Sequence, residues 1–450
     1  MRQFRFRGLL LESGWMEPAW VQTDDAGIIT GITGQPVPAV ATEAIDGYAL
    51  PGFLNGHSHA FQYAMAGLAE VHAPGTEDDF WSWREAMYRT ALSLDPDQAE
   101  VVATMVYSEM VRVGYTHVAE FHYLHHDPDG HPYANPAEMG IRMLRAAQRA
   151  GIRITLVPVL YQQGGFGQPP QPRQRRFITG DGEAWLQLFE ESANAVREFP
   201  GAKLGWSIHS LRAVDPEAAK IIFRTMPEDI PFHIHAAEQK REVSDCLDYC
   251  GMRPVQWLLE HLPVNENFFI VHATHLDDAE VAALAESGAS VVLCPGTEGN
   301  LGDGIFRMKD YVRAGGNWCI GTDSHVTLNP LNELRMIDHR QRLVTHDRNI
   351  FDGDGASAMV RAAYHSGRRA MGLSSAGYFA IGQPLDAVVY DAQSPTLIAP
   401  GSVHRTAAIV HTLDEPMGTL IGGRWVCRKG DHADRASILK DYRMVMTGGR

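Results

Sequence analysis

The chain has 450 residues, of which 45% are apolar and 21% charged, an ordinary globular composition and more length than one compact core usually takes. Its 39 lysines and arginines against 54 aspartates and glutamates leave a formal charge of −15, which argues against nucleic acid or an anionic membrane surface as partner. An anionic ligand would therefore be met by a few placed arginines, not by the overall field.

Residues 1–48 read as short strand-like pieces with turns. From about 48 to 345, short apolar or β-branched runs alternate with helical patterns. The runs are YALPGF (48–53), YTHVAEF (115–121), RITLVPVL (153–160), KLGWSIHS (203–210), PFHIHA (231–236), NFFIVHA (267–273), ASVVLCP (289–295) and NWCIGTD (317–323). Between them, Val101, Val102, Met105, Val106, Met110 and Val113 recur at spacings of three and four, and 278–287 does the same before stopping at Gly288. Eight strands alternating with helices predict a parallel sheet. Residues 164–176 (GGFGQPPQPRQRR) form the one clear long loop, a lid or a solvated excursion. Residues 380–435 return to short strands, too few to bury a core alone, and are expected to pair with 1–48 in a small composite β domain. A barrel over 49–379 and a tail over 436–450 complete the division. No run approaches the roughly 18 apolar residues of a membrane span, and Arg2, Arg5, Arg7 and Glu12 interrupt any apolar leader. Cys246, Cys250, Cys294, Cys319 and Cys427 form no CxxC pair and read as reduced thiols of a cytoplasmic protein.

Polar residues cluster where the strands end. His57 and His59 follow the first, Tyr123 the second, His209 and Arg212 the fourth, His235 and Glu238 the fifth, His272 the sixth and Asp323 the eighth. Reactive side chains at the C-terminal ends of many strands describe a barrel's active face; an open doubly wound sheet gathers its ligands at one switch point. His57-Ser58-His59 places two imidazoles on one face of an extended segment, suited to one ion. Alone the triplet is weak, since among 21 histidines roughly one is expected by chance, and His233-Ile234-His235 is a second. His235 lies nearer its strand's end; His233, deeper, suits a hydrogen-bonded core position. With Asp323, the imidazoles suit zinc or another divalent ion with one position open for water.

These residues resemble the amidohydrolase superfamily, in which H-x-H after strand one, His after strand five and Asp after strand eight bind the metal. The resemblance implies a TIM-like (β/α)8 metallohydrolase barrel with a small β-sandwich from both chain ends. It assigns His57, His59, His235 and Asp323 as ligands. Some branches bridge two metals with a carboxylated lysine from strand four; here Lys203 stands at that strand's start, which implies one ion per chain, zinc or another divalent metal. More narrowly, HSHAFQYAMAGLAE, FWSWREAMY, AEFHYLHHD, HSLRAV, HIHAAEQ, VHATH and NLGDGIF together resemble the formimidoylglutamate deiminases. Those enzymes convert N-formimidoyl-L-glutamate to N-formyl-L-glutamate and ammonia in histidine breakdown. Tyr63 stands where that resemblance leads one to expect arginine, at the pocket rim, and CPGTEGN differs from the expected small-residue version.

The implied chemistry distributes itself over the remaining residues. Asp323 takes a proton from water while ligating the ion; Glu238 shuttles protons to the departing nitrogen; His272 hydrogen-bonds the oxygen that gains charge. A dicarboxylate substrate is best held by guanidinium, and Arg212 is the first candidate. Arg84, Tyr123 and His209 complete the clamp, with Gln62 nearer the formimino end. The partner is thus a small molecule, and a homodimer is expected. The rivals are a mononuclear deaminase of purine, pterin or thio-adenosine bases, which would want aromatic stacking, and an inactive scaffold, which would have lost a ligand.

Overall fold

In the computed structural model the described residues are all but 39, 72–74, 76–79 and 449–450. Eight parallel strands run in chain order: Phe53–Ser58, Tyr115–His122, Arg153–Leu160, Trp206–Ser210, Phe232–Ala236, Phe268–His272, Ser290–Leu293 and Asn317–Ile320. Each pairs with its successor, and a parallel bridge between Ser58 and Asp323 carries the eighth back to the first. The result is a nearly closed barrel wrapped by helices, the (β/α)8 architecture expected. Strands covered on both faces have no solvated side, so their sequences are near-continuous apolar runs, as in the wholly buried Phe268–His272 and Ser290–Leu293.

Helix ends follow local chemistry. Pro96–Arg112 opens on a capping box in which Asp95 Oδ1 accepts from the Gln98 amide (2.8 Å) and Gln98 Oε1 from the Asp95 amide (3.0 Å). Asp278–Glu286 opens likewise on Asp277 and Glu280, and Gly288 follows it with φ +82°.

The two chain ends build one mixed sheet from Arg2–Leu11, Ala19–Thr23, Ile29–Thr33, Thr42–Pro51, Ala387–Asp391, Gly418–Ile421 and Arg424–Arg428. One expectation is corrected here. YALP belongs to this sheet, within Thr42–Pro51, and the first barrel strand starts only at Phe53. The chain crosses from sheet to barrel at Gly52, where a Cβ would lie 2.3 Å from Thr116 Cγ2, so no larger residue fits the junction. The expected tail is helical over Arg435–Met446; Ile438, Tyr442 and Val445 recur at helical spacing, and Arg435 pairs with Glu109 (2.7 Å) on the Pro96–Arg112 helix. Among the described residues no helix is long and apolar enough to cross a membrane.

Candidate metal centre and chamber

The barrel strands deliver the predicted residues to one place. His57 and His59 leave the first strand, His235 the fifth, and their Nε2 atoms converge: His57 to His59 is 3.1 Å and His57 to His235 is 3.0 Å. His59 Nδ1–H donates to the Phe121 carbonyl and His235 Nδ1–H to the His209 carbonyl, both at 2.9 Å. A carbonyl only accepts, so these two bonds place the proton on Nδ1 and leave Nε2 of both rings as bare lone pairs. Burial holds His59 down at about 3, and it likewise pushes His57 and His235 well below the usual imidazole range. Neutral rings with lone pairs aimed at one point form a donor set that a cation satisfies and that no donor among the described residues does. Asp323 Oδ1 stands 3.3 Å from His59 Nε2 and 3.7 Å from His57 Nε2. Burial lifts its carboxyl to about 7 against the pull of His272; an ion there would restore the carboxylate. The residues present therefore fit a divalent metal. A second group within ligand reach of itself is His272, Cys294 and Asp323, although burial pushes the Cys294 thiol up, away from thiolate.

The backbone is held in an uncommon conformation to achieve this. Five of the eight described non-glycine residues at positive φ are Ala237, His272, Ala273, Asp323 and His325, all at or just past barrel-strand ends. Such residues cost about 1–3 kcal/mol each and cluster at functional sites. Here the surroundings hold them in place, for example Ala273 N–H to the Ala236 carbonyl (3.1 Å) and His275 N–H to the Ala237 carbonyl (3.0 Å).

His272 lies on the other side of Asp323, its Nε2 3.6 Å from Asp323 Oδ2 and 3.7 Å from Glu238 Oε1. Burial opposes its charge, but Glu238, Glu298 and Asp323 outweigh burial and raise it to about 10. Glu238 Oε2 accepts from Arg212 Nη2 (3.3 Å), and Arg212 Nη1 pairs with Glu242 Oε2 (3.4 Å) without hydrogen-bond geometry. The fourth-strand arginine is thus tied to the candidate proton shuttle. His233 sits deeper, donating from Nε2 to the Ala370 carbonyl (3.1 Å).

A narrow chamber of about 50 Å³ opens over these groups, walled by His59, His235, Glu238, His272 and Asp323 at one end and by Gln62, Arg84, Tyr123, His209 and Arg212 elsewhere. Gln62 Nε2–H donates to the Tyr123 hydroxyl (2.8 Å), while Gln62 Oε1 is buried without a hydrogen-bond partner among the described residues. Arg84, on the helix Phe80–Ser93, lies over the Trp81 ring at 4.6 Å and the Tyr88 ring at 5.5 Å. Phe80, Trp83, Met87, Tyr161, Phe177 and Leu301 complete the wall. Arg84 and Arg212 also border an outer cavity of about 870 Å³ lined by Gly164 to Arg173 of the long loop. That loop is exposed over 167–170 and anchored at its end, where Gln174 donates to Tyr88 (3.1 Å) and Tyr161 (2.9 Å) and Arg176 is buried. Tyr63 is absent from the chamber's described lining; its ring packs beside His325 and Tyr442.

Sequence reasoning passed over three carboxylates. Glu242, one helical turn beyond Glu238, accepts from the Glu238 amide (3.0 Å). Glu120 accepts from Ser58 Oγ (2.6 Å) and the Ala60 amide (2.7 Å), pinning the H-x-H segment. Glu298 reaches His272 Nδ1 (3.4 Å). Their chemistry was visible as residue type; only the packed fold shows what they touch.

Comparisons agree with this geometry. The profile of the amidohydrolase family matches residues 48–426. A formimidoylglutamate deiminase of Pseudomonas aeruginosa is 45% identical over 444 residues, 97% of each chain. A 5-methylthioadenosine/S-adenosylhomocysteine deaminase of Haloarcula marismortui is 27% identical over 88% of this chain and 83% of its own. The crystal structure of an amidohydrolase from Brucella melitensis superposes with a TM-score of 0.93 at 38% identity, covering 100% of this chain and 99% of that one. An adenosine deaminase from Xanthomonas campestris, solved with bound zinc, shares the fold at a TM-score of 0.81 and 20% identity, covering 100% of this chain and 98% of its own. The chain belongs to the amidohydrolase family.

Proposed function

We propose that this protein hydrolyses N-formimidoyl-L-glutamate to N-formyl-L-glutamate and ammonia. The observation that carries the reading is the pairing, in one chamber, of convergent imidazole Nε2 atoms with two arginines among the lining residues. The 45% identity to the Pseudomonas aeruginosa enzyme supports it. His57, His59, His235 and Asp323 would hold one zinc ion per chain, a donor set suited to that metal. When bound, such an ion lowers the pKa of water to about 7 and supplies a nucleophile at neutral pH.

The protein's own groups account for the rest. Asp323 accepts the first proton from water. Glu238 carries protons to the imino nitrogen, so that the carbon–nitrogen bond breaks with ammonia, not amide ion, leaving. His272 Nε2 faces the same point and donates to the oxygen that gains charge on the tetrahedral carbon. Arg212 and Arg84, with Tyr123 and His209, hold the two carboxylates; burial keeps the Tyr123 hydroxyl protonated as a donor. Gln62 sits beside them through its bond to Tyr123. Five free cysteines support a reducing, cytoplasmic setting, and the substrate places the reaction in histidine breakdown.

The rival is base deamination, as named for the Haloarcula marismortui relative. Ammonia release by metal-loaded protein from N-formimidoyl-L-glutamate, against methylthioadenosine and S-adenosylhomocysteine, tests both. Turnover of a nucleoside with none of the formimino compound overturns the reading.

A further inference from the structure

We infer that Glu298 is a positioning residue for the proposed reaction: its carboxylate holds His272 by Nδ1 and so fixes where Nε2 points. The inference rests on the reading of His272 given above and adds a residue to it.

Glu298 belongs to the short helix Pro295–Asn300 that follows the seventh barrel strand, and it is 3% exposed. Its Oε1 accepts from the Cys294 amide (2.8 Å) and stands 3.4 Å from His272 Nδ1; its Oε2 pairs with Arg340 Nη1 (3.6 Å). The carboxylate is thus fixed from two sides before it meets the imidazole. His272 is 1% exposed and held at φ +70°. Its other nitrogen faces Glu238 Oε1 and Asp323 Oδ2 at 3.7 and 3.6 Å. A carboxylate at each end leaves the ring one orientation: a carboxylate accepts, so Nδ1 carries a proton toward Glu298, and Nε2 is aimed at the reaction centre. Carboxylates that orient metal-ligating histidines in this way typically matter about 10- to 100-fold, and the same scale is taken for His272.

The competing role is structural, since Glu298 also caps Cys294 and pairs with Arg340. The Glu298→Ala and Glu298→Gln variants, each in wild-type and His272→Asn backgrounds, separate the two. With zinc-loaded protein and N-formimidoyl-L-glutamate, Glu298→Ala should lower kcat by roughly 10- to 100-fold with KM and bound zinc unchanged. Glu298→Gln, which keeps an acceptor oxygen, should recover part of that loss. In the His272→Asn background, Glu298→Ala should cost almost nothing further, because the residue through which it acts is gone. An equal loss in both backgrounds, or a loss that tracks lower zinc content or melting temperature, overturns the inference. A readout independent of substrate keeps it testable if the formimino reading fails. In spectra of 15N-histidine protein, the ring N–H signal that disappears in His272→Asn should shift or lose protection in Glu298→Ala; an unmoved signal also overturns the inference.

Discussion

The two ends of the chamber are built differently. At the metal end every group comes from the C-terminus of a barrel strand or the residues just past it and is almost wholly buried, with His59 and His235 fixed by backbone carbonyls and His272 facing the buried Glu298 carboxylate. Away from it Arg84 rides on a helix, partly exposed and stacked on aromatic rings. A strand end in a closed sheet cannot move without breaking the ladder; a guanidinium on a helix can be re-aimed by one rotamer. The buried strand-end centre is therefore the rigid part of the chamber, and the helix-borne arginine its adjustable part.

Substitutions at the two ends should therefore read out differently. The largest effect belongs to the proposed ligands. His235→Ala or Asp323→Ala should abolish turnover and lower zinc content measured by elemental analysis of dialysed protein. A variant that keeps a full ion and normal turnover would remove that residue from the ligand set, and two ions per wild-type chain would break the mononuclear assignment. Next comes Glu238→Gln, which keeps size but carries no proton. Its kcat should fall by roughly 10²–10⁴-fold, the usual worth of a lost general acid–base, with zinc retained. Near-normal turnover would move the shuttle elsewhere.

How far each end was legible follows from the same difference. His57, His59, His235 and Asp323 were readable because strand ends impose regular spacing on apolar runs, and the structure brings all four together. YALPGF is apolar on both sides of Gly52, so the sequence does not mark where one sheet stops; the backbone does, with Gly52 N–H donating to the Asp386 carbonyl (3.1 Å) and Phe53 N–H to the Gly114 carbonyl (3.0 Å). The tail over 436–450 carries no secondary-structure expectation, and its helix buries only Ile438. Arg212 was found as a cation on the active face, but its ion pairs with Glu238 and Glu242 join residues 26 and 30 apart in sequence, and no spacing rule reaches them. Glu298 and Glu120 were hidden for the same reason.

That pairing changes what Arg212→Met should do. Truncating one partner of a buried charge pair costs about 2–5 kcal/mol, on the order of 30- to 4,000-fold in kcat/KM. Because Glu238 loses its hydrogen bond too, kcat should fall along with the rise in KM. Repeating the comparison on an analogue lacking one carboxylate isolates the substrate contact. If the variant and wild type lose the same factor for each carboxylate in turn, Arg212 serves Glu238 and not the substrate, and the distal wall rests on Arg84 and Tyr123.

The smallest effect sharpens the comparison most. The Tyr123 hydroxyl already accepts from Gln62 (2.8 Å), so its own proton is left for a further acceptor, and both residues line the chamber. Tyr123→Phe keeps the ring packed against His59 and Phe177, at centroid distances of 4.9 Å in both cases, and removes the hydroxyl, as donor to a further group and as acceptor for Gln62. A hydrogen bond to a charged group is worth about 1.5–3 kcal/mol, which converts to roughly 10- to 160-fold in kcat/KM. Tyr123 touches no group proposed to move a proton, so the change should fall on KM, with kcat and zinc content held. Isothermal titration with the product, N-formyl-L-glutamate, should show the same weakening without turnover. A Tyr123→Phe variant with lower kcat and unchanged KM would mean that this hydroxyl acts on the reacting group, and the division between a fixed metal end and an adjustable carboxylate end would no longer describe the chamber.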